Sequence, residues 1–172
     1  MEFINKQSYF NDWIGNHRPL NAIEITQIFF NLTRNIIGSS LLTGFSQVAS
    51  SPKVRDYMIR GKEIAKKHVR NFSDLLHEDD LPSPTFSDLE ITDSTDSPFS
   101  DKLMMFHTTA LTQGGIQFYG TGLSRSSRGD LTITYTRLIA ETGIYAAEGV
   151  KIMNKNNWME QPPSLPNRKQ SS

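Results

Sequence analysis

The sequence predicts an all-α protein, an up-down four-helix bundle with a long crossover between its second and third helices. Three observations predict it. Four long segments repeat their apolar or small residues alternately every four and every three positions, which draws one narrow stripe along each helix. Breaks of a few residues separate the first segment from the second and the third from the fourth. Between the second and third lies an acidic, proline-bearing stretch, 79–99, with no helical period.

The elements follow in order. Residues 1–19 form an N-terminal arm: Tyr9 and Trp13 are aromatic, but Gly15, Asn16 and Pro19 stop a helix. The arm either lays its aromatics on the main body or is a loosely ordered terminus. The domain proper spans 20–160. Asn21 caps the first helix, and Glu24 stands where it returns a bond to the cap. Ile25, Phe29, Leu32, Ile36, Ser39 and Thr43 form its seam, and it runs to about Val48. Ser51 then caps the second helix, with Pro52 at its first position.

The second helix is the frame for the rest. Val54, Met58, Gly61, Ala65, His68, Phe72 and Leu75 make its seam, while Lys53, Arg55, Lys62, Lys66, Lys67 and Arg70 fall off it. A loop of about 20 residues inside a compact domain normally argues against an assignment. Here two helical hairpins joined by a full-length crossover require it.

The third helix opens near Asp101 behind Ser100. Its expected seam is Met104, His107, Leu111, Gly114, Phe118 and Thr121. Gly114, Gly115, Gly120 and Gly122 each cost the helix about 1 kcal/mol against alanine, so close packing or a kink is expected. Ser124–Gly129 is a turn. The fourth helix carries Leu131, Tyr135, Leu138, Thr142, Tyr145, Gly149 and Ile152 and ends near Trp158, before Pro162-Pro163. Residues 161–172 form a flexible tail. Overlaid at an offset of 78 residues, the hairpins match Thr43 with Thr121, Tyr57 with Tyr135 and Glu63 with Glu141.

Composition narrows the function classes. Eighteen basic and eighteen acidic residues cancel, which is no footprint for nucleic acid. The absence of cysteine removes disulfides and thiolate chemistry. No apolar run approaches the ~20 residues of a transmembrane helix. The start MEFINKQSYF lacks a secretory signal pattern, so synthesis in the cytoplasm is expected.

Certain joints carry a resemblance. Pro19-Leu20-Asn21-Ala22-Ile23-Glu24-Ile25, Lys67-His68 and Leu81-Pro82-Ser83-Pro84 are three of them. Phe99-Ser100-Asp101-Lys102-Leu103, Arg128-Gly129-Asp130-Leu131 and Gln161-Pro162-Pro163 complete the set. In these the chain resembles the uncharacterised spore-coat-like helical proteins of endospore-forming bacteria, related to the coat F type and placed in the ferritin-like superfamily. The resemblance covers roughly 19–164. Many relatives carry the unit twice, and this chain carries it once. The resemblance implies a ferritin-like bundle, a spore-coat role with deposition on the coat, and no established reaction.

A ferritin-like bundle raises the question of a metal. Di-iron bundles take one carboxylate from each of two helices and Glu-x-x-His from each of the others. Here Glu63 is followed at the third position by Lys66, and Glu141 by Ile144. The third helix has no acid between Asp101 and Asp130, and Glu24 stands about 15 Å from mid-height. Asn31, Arg34, Asn35, Gln113 and Gln117 occupy mid-height instead, too few anions for two iron ions. The expectation is therefore no metal and no cofactor, with Glu63, His68 and Glu141 as the alternative ligand set. His68 and His107 differ in height by more than about 10 Å and are not expected to share an ion. A buried seam histidine is expected to satisfy its ring with a tyrosine, amide or carboxylate. A polar group of Glu63, His68, Glu141 and Glu148 with Arg34 or Arg60 is the related expectation.

The acidic crossover lacks the glycine and terminal glutamate of a calcium loop. Ser124–Arg128 reads as an inter-helix turn rather than a phosphate cradle, and no nucleophile arrangement stands out. Two functions follow. The first is a non-enzymatic structural or interaction protein, associated with the spore coat or sporulation. It would self-associate or pack on other coat proteins, with Tyr9 and Trp13 on its contact surface. The alternative is a ferritin-like bundle that binds a metal or small ligand.

Overall fold

A computed structural model describes residues 18–85 and 91–165. Four helices account for the regular structure, α1 (Ala22–Val48), α2 (Pro52–His77), α3 (Asp101–Arg125) and α4 (Gly129–Lys155), with no strand among the described residues. The arm aromatics Tyr9 and Trp13 lie outside the described residues, as does most of the tail.

The ends form for local reasons. The Asn21 side chain accepts from the backbone N–H of Ile23 and Glu24, and Glu24 returns a bond to the Asn21 N–H, a complete capping box. Ser100 accepts from the Leu103 N–H at 3.2 Å. Ser51 occupies the cap position of α2 without a side-chain cap bond, while Pro52 sits at the first helical position as expected. The Asp101 carboxylate takes the Ser50 and Ser51 N–H groups at 3.0 and 2.8 Å, tying the α1–α2 turn to the start of α3.

Contacts define the packing. Helices α1 and α3 run antiparallel, since Phe45 meets His107 near one end and Phe30 meets Phe118 nearer the other. Helices α2 and α4 are antiparallel too, from the Tyr57–Tyr145 stack to the Phe72–Tyr135 contact. Helices α2 and α3 therefore run the same way, and 78–100 must return the full length of α2, about 39 Å for 26 residues. Its described second half lies along α1, where Phe99 meets Phe45 edge-on.

The expected seams of α2 and α4 are all buried. Those of α1 and α3 are displaced. Leu32, Ser39 and Met104 are buried as expected, but Phe29, His107, Leu111 and Phe118 are exposed, and the other buried positions are Glu24, Ile28, Asn31, Leu42 and Phe45 on α1 and Met105, Thr108, Thr109, Thr112, Gly115, Tyr119 and Gly122 on α3. The interior faces of these two helices mix large apolar side chains with polar and small ones. The threonine hydroxyls donate to the carbonyls four residues back, so their burial leaves no donor unmet.

The internal repeat also has a corrected register. The hairpins correspond at 77 residues: α1 and α3 end, and α2 and α4 begin, at that offset. Asp80 and Asn157 both take the left-handed conformation, and Leu81 and Trp158 follow with N–H bonds back to Leu76 and Met153 at 2.9 and 3.0 Å. Both are Schellman endings with an apolar residue folded onto the core. The identities at 78 lie one position out of this register.

Candidate functional site

Two groups of polar residues stand inside the fold. The first locks one end. Glu24 is fully buried in the first turn of α1 and accepts two bonds of 2.9 Å from Arg18. The N–H groups of Ser127 and Arg128, in the α3–α4 turn, point at the same carboxylate at 3.0 and 3.3 Å. Burial alone would raise its pKa, but Arg18 and the backbone donors outweigh burial and hold it down at about 2. Arg128 is itself 1% exposed. It grips Asp130 with two nitrogens at 3.1 and 2.7 Å, and reaches the Arg18 carbonyl and Asp79 with a third. Asp79 also accepts from the Leu20 N–H. The start of α1, the end of α2 and the α3–α4 turn are thus one joint.

The second group lies at mid-height. A chain of hydrogen bonds runs inward from the surface: Lys67 to Glu141 at 2.8 Å, Glu141 to His68 Nε2 at 3.1 Å, His68 Nδ1 to the Tyr119 hydroxyl at 2.8 Å, and Tyr119 to Asn35 at 2.8 Å. Burial lowers the His68 pKa more than Glu141 raises it, so the ring is neutral at pH 7. A carboxylate only accepts, so Nε2 carries the proton toward Glu141 and Nδ1 accepts from Tyr119. Burial would raise Glu141, but bonds from Lys67 and His68 pull it below its usual value. Burial pushes Tyr119 up to about 12, which keeps it a neutral donor.

Beside this chain is a cavity of about 200 Å³. Apolar walls come from Leu41, Leu42, Ile64 and Ala65, and polar edges from Arg34, Asn35, His68 and Thr112. Its exposed rim is Ile37 and Leu111, so it opens between α1 and α3.

The expected site residues divide. His68 and Glu141 meet, and His68 satisfies its ring with a tyrosine and a carboxylate. Glu63 turns outward to Lys62 at 3.4 Å, its side chain 59% exposed. Arg60 pairs with Glu148 on the surface. His107 is exposed and stacks edge-on against Phe45, far from His68. Among the described residues no three His, Asp or Glu side chains converge on one point. Tyr119 went unmarked in the sequence, because it falls off the stripe of apolar spacing, and Arg128 was marked only as part of a joint and a turn, with no partner assigned to it.

The joints at Pro19–Ile25 and Arg128–Leu131 supply Leu20, Glu24, Arg128 and Asp130 to the end lock. A family model described as "Protein of unknown function (DUF3231)" matches residues 8–170. The chain belongs to this family. In fold it is similar to the crystal structure of a "putative spore coat protein" from Bacillus halodurans C-125, with a TM-score of 0.81 at 14% identity, over 87% of this chain and 98% of that one. No curated protein matches the sequence. Among the described residues no helix is long and apolar enough to cross a membrane.

Proposed function

We propose that this DUF3231 member is a non-enzymatic structural or interaction protein of the spore coat, related to the coat F type. Its scaffold is a ferritin-like four-helix bundle spanning 20–160, with 79–99 as the crossover. It is made in the cytoplasm and deposited on the coat, where it packs on further copies or on other coat proteins. The observation that carries this reading is the fold likeness to the Bacillus halodurans protein over nearly the whole of both chains.

Two features support it. The buried ions of the end lock hold helices to each other, as a structural role requires. Each helix also leaves a large apolar side chain exposed, as Ile23, Ile59, Phe106 and Ile144 do, which suits packing on other protein. A fluorescent fusion followed through sporulation tests the reading. It should collect on the forespore surface and remain with the coat fraction. A fusion that stays diffuse in the mother cell, from a protein that sediments as a monomer at every concentration, would refute it.

A further inference from the structure

We infer that the mid-height cavity is a binding site for a small organic carboxylate with an apolar body about the size of benzoate. The space fits: it measures about 200 Å³, and an apolar cavity of about 150 Å³ is known to hold benzene. Leu41, Leu42, Ile64 and Ala65 offer a hydrocarbon surface for the body of such a ligand.

Arg34 selects the charge. Its guanidinium reaches the cavity with one long bond of 3.3 Å to the Asn31 amide oxygen. One face of the group is covered by the Phe118 ring, 4.7 Å away. Gly115 makes room for it, since a methyl group there would stand 3.2 Å from Nη2. Among the described residues no Asp or Glu pairs with it. Glu141, which does not line the cavity, is engaged by Lys67 and His68. Burial lowers the Arg34 pKa, the direction expected of a cation that has lost water without gaining an anion. A ligand carboxylate would supply that anion in the bidentate geometry guanidinium favours.

The same charge argues against other occupants. A metal cation would enter a space whose one charged wall repels it. A phosphate dianion would need a second cation, and the lining has none. A coat protein and a protein outside the coat would carry this site alike, so its failure and the failure of the coat assignment are separate results.

Calorimetry on the full chain at pH 7 tests it with sodium benzoate, benzyl alcohol and inorganic phosphate as probes. Benzoate should bind one to one with a dissociation constant on the order of 0.1 mM. Arg34→Gln should weaken it roughly tenfold or more, the worth of a hydrogen-bonded charge. Gly38→Leu should abolish binding, because it places a side chain in the cavity from a position where a Cβ meets nothing within 4 Å. That variant keeps Arg34, so it reads the site even if Arg34→Gln does not fold. The assignment is overturned if benzoate does not bind, if either variant binds it unchanged, or if benzyl alcohol or phosphate binds as tightly.

Discussion

The hydroxyl of Tyr57 donates to the backbone carbonyl of Tyr145, and the Tyr145 hydroxyl returns the same bond to Tyr57, each at 3.2 Å. The rings stack at 4.2 Å and within 5° of parallel. Each hydroxyl lies over a glycine of the opposite helix, Tyr145 over Gly61 and Tyr57 over Gly149. A tyrosine four residues before a glycine on each of two antiparallel helices makes this crossing.

Gly61→Ala or Gly149→Ala should therefore cost on the order of 2 kcal/mol or more, because a methyl group would overlap a tyrosine held in a two-way bond. Gly38→Ala and Gly120→Ala should instead stabilise by about 0.5–1 kcal/mol, since a Cβ there meets nothing within 4 Å and alanine favours helix. Urea unfolding of the four variants checks the contrast. Four equal effects would remove the special role of the crossing.

Glu24 predicts an acid limit. Its pKa falls from the ordinary 4.5 to about 2 in the fold. The unfolded chain takes up this proton first as pH drops, so the stabilisation is complete above 4.5 and is lost as pH falls from there toward 2. A shift of this size corresponds to about 3 kcal/mol. Glu24→Gln should lose a similar amount at pH 7 and flatten the stability curve across that window. Chemical denaturation in a series of buffers measures both, and a variant as pH-dependent as the parent would contradict the joint.

His68 predicts a second, milder window. Its folded pKa lies below the ordinary 6.5, so the unfolded state binds the proton more readily. Its contribution is complete above 6.5 and declines as pH falls through that value toward the folded one. Ring nitrogen shifts by NMR should show the proton on Nε2 at pH 7 and a midpoint below 6.5. A midpoint above 6.5, or a proton on Nδ1, would reverse the direction of the chain to Tyr119.

Arg128→Ala should be among the costliest substitutions, on the order of 3 kcal/mol or more, because it removes the buried cation that pairs with both Asp130 and Asp79. Arg128→Lys should recover little. One ammonium cannot grip both Asp130 oxygens and still reach the Arg18 carbonyl. Thermal melting separates the two variants, and a full rescue by lysine would mean that charge alone suffices.

Much of the fold is legible in the residues. The caps at Asn21 and Ser100, the Pro52 start and the α2 and α4 seams all follow from local chemistry. On α1 and α3 the apolar pattern misleads. Phe29, Leu111 and Phe118 draw a stripe on the outer side, while Glu24, Asn31, Thr108 and Thr112 go inward. A polar side chain can be buried when its partners are supplied, and beside the nearby Arg18 and Asn21, Glu24 needs a further partner 103 residues away at Ser127. No local window contains that information.

The chain by itself determined helix type, helix ends, the order of four helices and the need for a long return, because caps, prolines and spacing act within a few residues. Only the packed structure decided which side of α1 and α3 turns inward, that the repeat runs at 77 rather than 78 residues, and that His68 meets Tyr119 and Glu141 but not Glu63. Those outcomes depend on where hydrogen-bond partners and glycine gaps from distant helices arrive, and burial of a polar group is favourable only once they have arrived.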